Sequence, residues 1–336
     1  MINTNNKKIG KMMLVIVTLV ISAVVLTGCT DGGNGKTQLT QTGSSTVLPL
    51  ALAWAEEFDG ADISVSGGGS SHGINALLSG EADLGDASRL MKGSDYTKVG
   101  CDETLVKEDG TASAACDGVL PTKWVVGYDM LAVVVNPTNT WATQLNYTQL
   151  YKIFTDDSPA EYWDEVPGLN ATAPHELIEI YAPDEASGTY DFFFEEIIED
   201  WGKDTQVANT RLEMEDTIYQ GSADDNVILS AIKNNENAIG FFGYAYYNEN
   251  KDDLTAVEIA SGDANYQEAS FANVANYPMA RPLHIYTDGV PEEGDIINDY
   301  LTYVLGEEGQ AIVPEVGYVK LELVDSTLAE TQLAKL

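Results

Sequence analysis

The run Trp124-Val125-Val126-Gly127-Tyr128-Asp129-Met130-Leu131-Ala132-Val133-Val134-Val135 most limits what this chain can fold into. Its apolar and β-branched residues read as strand, but a strand inside a globular sheet usually needs only about 5–6 residues. A longer strand serves two lobes, leaving one and entering the next. Tyr277-Pro278-Met279-Ala280-Arg281-Pro282-Leu283 reads as the return crossing. Two crossings form a hinge and leave a cleft between lobes, where small ligands commonly bind.

Short apolar strands alternate with helix-like segments along the rest of the chain. Strands are predicted at residues 38–42, 62–66, 83–87, 125–135, 177–181, 238–242, 254–259 and 282–286, and helices at 48–58, 72–79, 147–155, 189–201, 225–234 and 296–305. That order belongs to the α/β class, with a parallel sheet covered by helices. A length of 336 residues with 44% hydrophobic composition suits two folded lobes and excludes general disorder.

The N-terminus has the layout of a secretory signal. Lys7, Lys8 and Lys11 precede the uncharged apolar run from Met12 to Leu26, and Leu26-Thr27-Gly28-Cys29 resembles a lipobox. Cys29 is thus the expected lipidation site, with an uncleaved transmembrane anchor as the alternative. Either one tethers the remainder outside the membrane, at a cell surface or in a periplasm. The glycine-rich stretch 31–37 reads as a flexible tether. The expected organisation is a signal peptide at 1–29, a tether at 30–37, a first lobe at 38–126 completed by 277–336, and a second lobe at 127–276.

Loss of the signal makes the chain three units more negative than its full-length formal charge of −36. Acids are spread throughout, as in Glu56-Glu57, Asp156-Asp157, Glu195-Glu196 and Asp252-Asp253. This balance repels nucleic acid and fits a salt-rich milieu that screens self-repulsion. Cys101 and Cys116 flank a polar loop and, in an exported chain, read as a disulfide. Three histidines, His72, His175 and His284, with no C-x-x-C or H-E-x-x-H spacing, give no expectation of a metal or cofactor. Asn146-Tyr147-Thr148 and Asn170-Ala171-Thr172 have the form of glycosylation acceptors.

Four places join a strand to a helix through glycine and small hydroxyl residues. They are Gly43-Ser44-Ser45-Thr46-Val47, Gly69-Ser70-Ser71, Gly85-Asp86-Ala87-Ser88-Arg89 and Ala186-Ser187-Gly188-Thr189. A helix N-terminus presents unpaired N–H groups and the positive end of its dipole, and Ser or Thr adds a hydroxyl donor. One such junction is an ordinary N-cap. Four at the carboxyl ends of α/β strands point to an oxyanion site. Gly69-Ser70-Ser71-His72-Gly73 also matches the nucleophile elbow G-x-S-x-G, which makes a serine hydrolase using Ser71 the competing reading. His175 precedes a strand and His284 lies inside one, so neither stands where a triad needs it.

Gly43-Ser44-Ser45-Thr46-Val47-Leu48-Pro49-Leu50 resembles the opening of the phosphate-binding proteins of the ABC phosphate importer. The resemblance continues through Gly67-Gly68-Gly69-Ser70-Ser71-His72-Gly73, Ala82-Asp83-Leu84-Gly85-Asp86-Ala87-Ser88-Arg89 and Ser187-Gly188-Thr189-Tyr190-Asp191. It ends with Ala238-Ile239-Gly240-Phe241-Phe242-Gly243, Tyr277-Pro278-Met279-Ala280-Arg281 and Glu308-Gly309-Gln310-Ala311-Ile312-Val313. It implies a two-lobed, hinge-closing periplasmic-binding-protein fold of type II that captures inorganic phosphate for a membrane permease. It implies no catalysis, and the chain is expected to be a monomer. Carried over motif by motif, it implies phosphate contacts from Ser45, Thr46, Val47, Ser70, Ser71, Ser187, Gly188 and Thr189.

Two positions depart from the pattern. Many relatives end the third motif with an aspartate that accepts a proton from phosphate, where this chain has Ser88; those relatives tend to carry an arginine where this chain has Pro183. Ser88 and Arg89 are the expected replacements, with Asp86 a weaker candidate acceptor. Without the aspartate, sulfate and molybdate stay open as rival ligands.

Overall fold

The computed structural model describes residues 36–336 apart from 158, 170–172, 186, 202–210 and 212–217. The expected signal, Cys29, the tether through residue 35 and the Asn170 acceptor lie outside the described residues.

Eleven strands occur among the described residues: β1 (Thr37–Gly43), β2 (Ala61–Gly67), β3 (Leu84–Ala87), β4 (Pro121–Val135), β5 (Gln144–Asn146), β6 (Glu179–Pro183), β7 (Tyr219–Ser222), β8 (Ala238–Gly243), β9 (Thr255–Ala256), β10 (Glu258–Ala260) and β11 (Ala280–Asp288). Eight run side by side in the order β2-β1-β3-β11-β4-β8-β6-β7, with β9 also paired to β4. The pairs β1/β2, β1/β3, β6/β7 and β6/β8 are parallel. β11 runs antiparallel to β3 and β4, and β4 antiparallel to β8. The sheet is therefore mixed, its parallel ends joined by antiparallel strands in the middle.

β4 is the long strand read from the sequence, and its two ends serve different partners. Residues 121–130 pair with β11, and Leu131 to Val135 pair with β8. Two hydrophobic cores form on either side of this change. Trp54, Trp124, Tyr300 and Leu301 lie in the first; Val133, Phe154, Phe193 and Phe241 lie in the second. Helix α1 (Leu48–Glu57) buries Leu50, Ala51 and Trp54 in the first core, and α4 (Tyr147–Phe154) buries Leu150, Ile153 and Phe154 in the second. Two cores flanking a shared pair of antiparallel strands make the two-lobed α/β architecture expected from that strand's length.

Local differences from the sequence reading have physical reasons. The helix expected from His72 is α2 (Ser70–Leu78), because Gly69 at φ +87° turns the chain sharply enough for the helix to begin at Ser70. The third junction opens no helix at once: after β3 the next helix, α3 (Gly93–Lys98), begins five residues beyond Ser88. The strand expected at 254–259 is broken at Val257, which is fully buried and donates to Val133 O, so β9 joins β4 while β10 pairs with β5. The helix expected at 189–201 is α5 (Gly188–Phe193), continuing as a π-helical stretch over Phe194–Trp201. Asn146 is 7% exposed and caps α4 by accepting from Gln149 N–H, so this acceptor is committed to the fold.

Cys101 and Cys116 are disulfide-bonded, with their Cα atoms 5.8 Å apart. The bond closes a loop over a small apolar cluster that includes Met91, Tyr96 and Tyr286. Cross-linking residues 15 apart restricts the unfolded chain by about 3 kcal/mol. The double variant Cys101→Ser/Cys116→Ser is expected to lose about that much stability in denaturant titration; an unchanged midpoint would show that the loop unfolds apart from the lobe.

Candidate functional site

The first-lobe part of the site is a cluster of buried hydroxyls at the ends of β1 and β3 and the start of α2. Gly43, at φ +145°, lies where a Cβ would collide with the Asp86 carbonyl, so only glycine lets β1 and β3 approach this closely. The close approach lets Ser44 N–H donate to Asp86 O at 3.0 Å. Ser44 Oγ donates to Ser88 Oγ at 2.9 Å and accepts from the N–H groups of Thr46 and Val47 at 3.2 and 3.4 Å. Ser70 Oγ is 3.2 Å from Ser88 Oγ and accepts from Ser88 N–H at 3.1 Å. Ser44, Ser70 and Ser88 thus form one hydroxyl cluster, although the sequence reading named Ser44 only as part of a motif.

Asp86 points away from this cluster. It is 1% exposed and accepts from Gln41 Nε2 at 2.8 Å, while Tyr300 OH donates to Gln41 Oε1 at 2.9 Å. Burial pushes its carboxyl up from 3.8 to about 8, against the opposing bond from Gln41. Between those values the folded chain keeps a proton that the unfolded chain releases, so this group's contribution to stability falls as pH rises from about 4 to about 8. Asp86→Asn keeps an acceptor for Gln41 and removes the titration. It is expected to exceed the parent in stability at pH 8 by on the order of a few kcal/mol and to match it near pH 4. Equal differences at both pH values, read by denaturant unfolding, would contradict this.

Ser71 and Arg89 belong to a neighbouring network. Arg89 grips Asp95 through both guanidinium nitrogens, at 2.8 and 2.9 Å, and donates from Nη2 to Ser71 Oγ at 2.7 Å. Ser71 Oγ also donates to Asp95 at 3.1 Å and accepts from Lys98 Nζ at 3.1 Å. Burial alone would raise the Asp95 carboxyl, but bonds from Arg89 and the Lys92 N–H, with the Arg89 charge, hold it below the usual range. Arg89 therefore balances Asp95 first. Neither histidine weighed for a triad is among Ser71's hydrogen-bond partners. His175 pairs with Asp164, and His284 is 1% exposed within β11, pushed down to about 3 by burial.

Thr46 is where the two lobes touch. A Cβ on Gly188, at the start of α5, would lie 3.3 Å from Thr46 Cα, so the Ser187–Thr189 turn packs directly on the first loop. Ser187 caps α5, its Oγ accepting from Thr189 N–H at 3.2 Å. Arg281, opposite Asp129 in the β11/β4 register, reaches Thr46 Oγ1 from Nη2 at 2.9 Å and Glu195 Oε2 from Nη1 at 2.6 Å. Tyr318 OH donates to the Thr46 carbonyl at 2.7 Å. Val47, fully buried in the first core, offers only backbone to the cleft, whereas Ser45 is exposed in the turn.

Beside these groups lies a cavity of about 260 Å³ lined by Ser88, Arg89, Lys92, Arg281 and Pro282, and by three carboxylates, Glu195, Glu196 and Glu199. In the sequence Arg281 stands out only within the return crossing and a family motif, and Glu195 only as one of many acids. Their 86-residue separation carries no local signal that they meet. The packing of the Gly188 turn on Thr46 brings hydroxyl- and N–H-bearing loops of the two lobes side by side, with the Arg281 guanidinium on Thr46 and Arg89 nearby, a chemistry suited to an oxygen-rich anion.

The family model for the PBP superfamily domain matches residues 30–308. Phosphate-binding protein PstS of Staphylococcus epidermidis is 30% identical, over 92% of this chain and 89% of its own length. PstS of Staphylococcus saprophyticus is 29% identical, over 94% of this chain and 92% of its own. A crystal structure described as a possible phosphate binding protein from Planctomyces limnophilus aligns with a TM-score of 0.74 and 29% identity, covering 90% of this chain and 98% of that one. With its family model spanning both cores and its relatives matched along nearly their whole length, the chain belongs to the PstS phosphate-binding proteins of the PBP superfamily.

Proposed function

We propose that this protein captures inorganic phosphate in the cleft between its lobes and delivers it to an ABC permease. The observation that supports the reading is the packing of the Gly188 turn on Thr46, which brings one hydroxyl- and N–H-rich loop from each lobe into contact. Ser45, Thr46, Val47, Ser70, Ser71 and Ser88 with Arg89 hold the anion from the first lobe, and Ser187, Gly188 and Thr189 from the second. The first lobe comprises 38–126 and 277–336, the second 127–276. Phosphate joins them, so its contacts with both stabilise the closed form. The protein binds without turning its ligand over.

The chain works outside the cytoplasm as a monomer, held to the membrane through lipidated Cys29. Among the described residues no helix is long and apolar enough to cross a membrane. Calorimetric titration of anion-stripped protein with phosphate, sulfate and molybdate tests the reading. Phosphate is expected to bind in the submicromolar range, on the order of 8–12 kcal/mol, with sulfate and molybdate far weaker. Preferential binding of sulfate or molybdate would reassign the cleft to another oxyanion.

A further inference from the structure

Thr46 sits at the junction of the lobes, 3% exposed, with almost every polar atom already engaged. Its N–H donates to Ser44 Oγ at 3.2 Å, its carbonyl accepts from Tyr318 OH at 2.7 Å, and its Oγ1 accepts from Arg281 Nη2 at 2.9 Å. A threonine hydroxyl has one hydrogen and two lone pairs, whereas a guanidinium has donors and no acceptor. The Thr46 hydroxyl therefore cannot return its hydrogen to Arg281, and among the described residues it donates to no other group. That hydrogen is the one donor Thr46 has left. Its oxygen lies beside the second-lobe turn, since a Cβ on Gly188 would be 3.6 Å from Oγ1.

Arg281 is held in one plane. Its guanidinium carbon lies 3.9 Å over the Phe192 ring, its Nη1 donates to Glu195 Oε2 at 2.6 Å, and its Nε faces Asp129 Oδ2 at 3.5 Å. Stacking fixes the plane of the fork and the two carboxylates offset its charge, so the group supplies direction more than free positive charge. Phe192 belongs to α5 and Glu195 to the stretch that continues it. The side chain that grips Thr46 thus also grips the helix whose first turn packs on Thr46.

We infer that Arg281 is a positioning residue that turns the Thr46 hydroxyl into an obligate donor for an oxygen of the bound oxyanion. The inference rests on the phosphate reading above. By donating to Oγ1, Arg281 occupies the accepting side of the hydroxyl and leaves its hydrogen to point elsewhere, while the stack on Phe192 keeps Thr46 in register with α5. A hydroxyl that already accepts from a cation is also the stronger donor, because linked hydrogen bonds polarise one another. In this arrangement Arg281 acts through Thr46 and not on the anion.

The test is calorimetric titration of the full chain with inorganic phosphate, in a cycle of Thr46→Val, Arg281→Met and the double variant. Valine removes the hydroxyl at nearly constant shape and is expected to weaken binding roughly tenfold or more, and Arg281→Met at least as much. In the Arg281→Met background, Thr46→Val should cost no more than about threefold further, because a hydroxyl without its partner has little alignment left to lose. Thr46→Ser keeps the hydroxyl and should stay within about threefold of the parent. Arg281→Lys keeps the charge without the planar fork and should recover only part of the affinity; if Arg281→Met does not fold, the same cycle run with lysine gives the coupling. An arginine that served packing alone, or that touched the anion itself, would give losses that multiply in the double variant, and that result would overturn the inference. Unchanged affinity in Arg281→Met, or a loss in Thr46→Ser equal to that in Thr46→Val, would overturn it as well. These outcomes leave the phosphate reading standing, whereas a parent that bound no phosphate would end that reading and the inference with it.

Discussion

Gly188→Val is expected to weaken phosphate binding roughly ten- to hundredfold while leaving the fold intact. The effect comes from the contact that closes the cleft. A Cβ at this position would sit 3.3 Å from Thr46 Cα, 3.6 Å from Thr46 Oγ1 and 3.7 Å from Ser45 O, already tight before valine adds two methyl groups. Overpacking of this kind typically costs about 1–3 kcal/mol. It falls on the closed form, because the added atoms strike residues of the opposite lobe. Affinity is then reduced by the fraction of molecules that can close. Gly188→Ala should show a smaller loss in the same direction. Unaltered phosphate affinity in the valine variant would mean that ligand binding does not need these two loops in contact.

Trp54→Ala is expected to destabilise the protein by about 3–5 kcal/mol. Trp54 is fully buried in the first core, and its Nε1–H donates to Gly309 O at 2.9 Å. It therefore ties α1 to the helix Glu307–Glu315, two helices far apart in sequence that pack together beside the sheet. Alanine leaves a cavity and an unpaired carbonyl, and neighbouring rings such as those of Phe58 and Tyr300, 5.1 Å apart by their centroids, can fill the space only in part. Urea unfolding followed by far-ultraviolet circular dichroism reads the change. A loss below about 1 kcal/mol would show that the first core tolerates rearrangement far better than its packing implies.

Much of the frame was legible because its signals are local. The strands β1, β2, β8 and β11 each combine a short apolar run with glycine or polar punctuation, and β4 reveals the two lobes through length alone. The two strands β5 and β7 were missed, since three or four residues carry too little alternation to stand out. The π-helical stretch after Phe193 was also hidden, because its apolar pattern continues that of α5 without a break in composition. Leu177 shows a different failure: it has a strand-forming side chain but makes an isolated bridge to Tyr162, and β6 starts two residues later.

The site divides along the same line. Glycine and hydroxyl residues at strand ends announced the donor loops, because backbone geometry demands them there. The Ser44–Ser70–Ser88 cluster and the Arg281–Glu195 pair depend on which chain segments meet, and pattern along the sequence does not encode that directly. Asp86, the weaker candidate acceptor of the third motif, instead bonds Gln41 in the interior. The formal charge of −36 is no obstacle to holding an anion. Hydroxyl and N–H dipoles act at contact range, while charges spread over the surface are screened by salt within about 10 Å.

The most direct test of the central claim is a crystal structure of the protein grown with phosphate. One phosphate is expected between the lobes, its oxygens within hydrogen-bonding distance of Thr46 and Ser70 on one side and of Ser187 to Thr189 on the other. A phosphate contacting only one lobe, or bound away from both loops, would contradict capture by closure of the cleft.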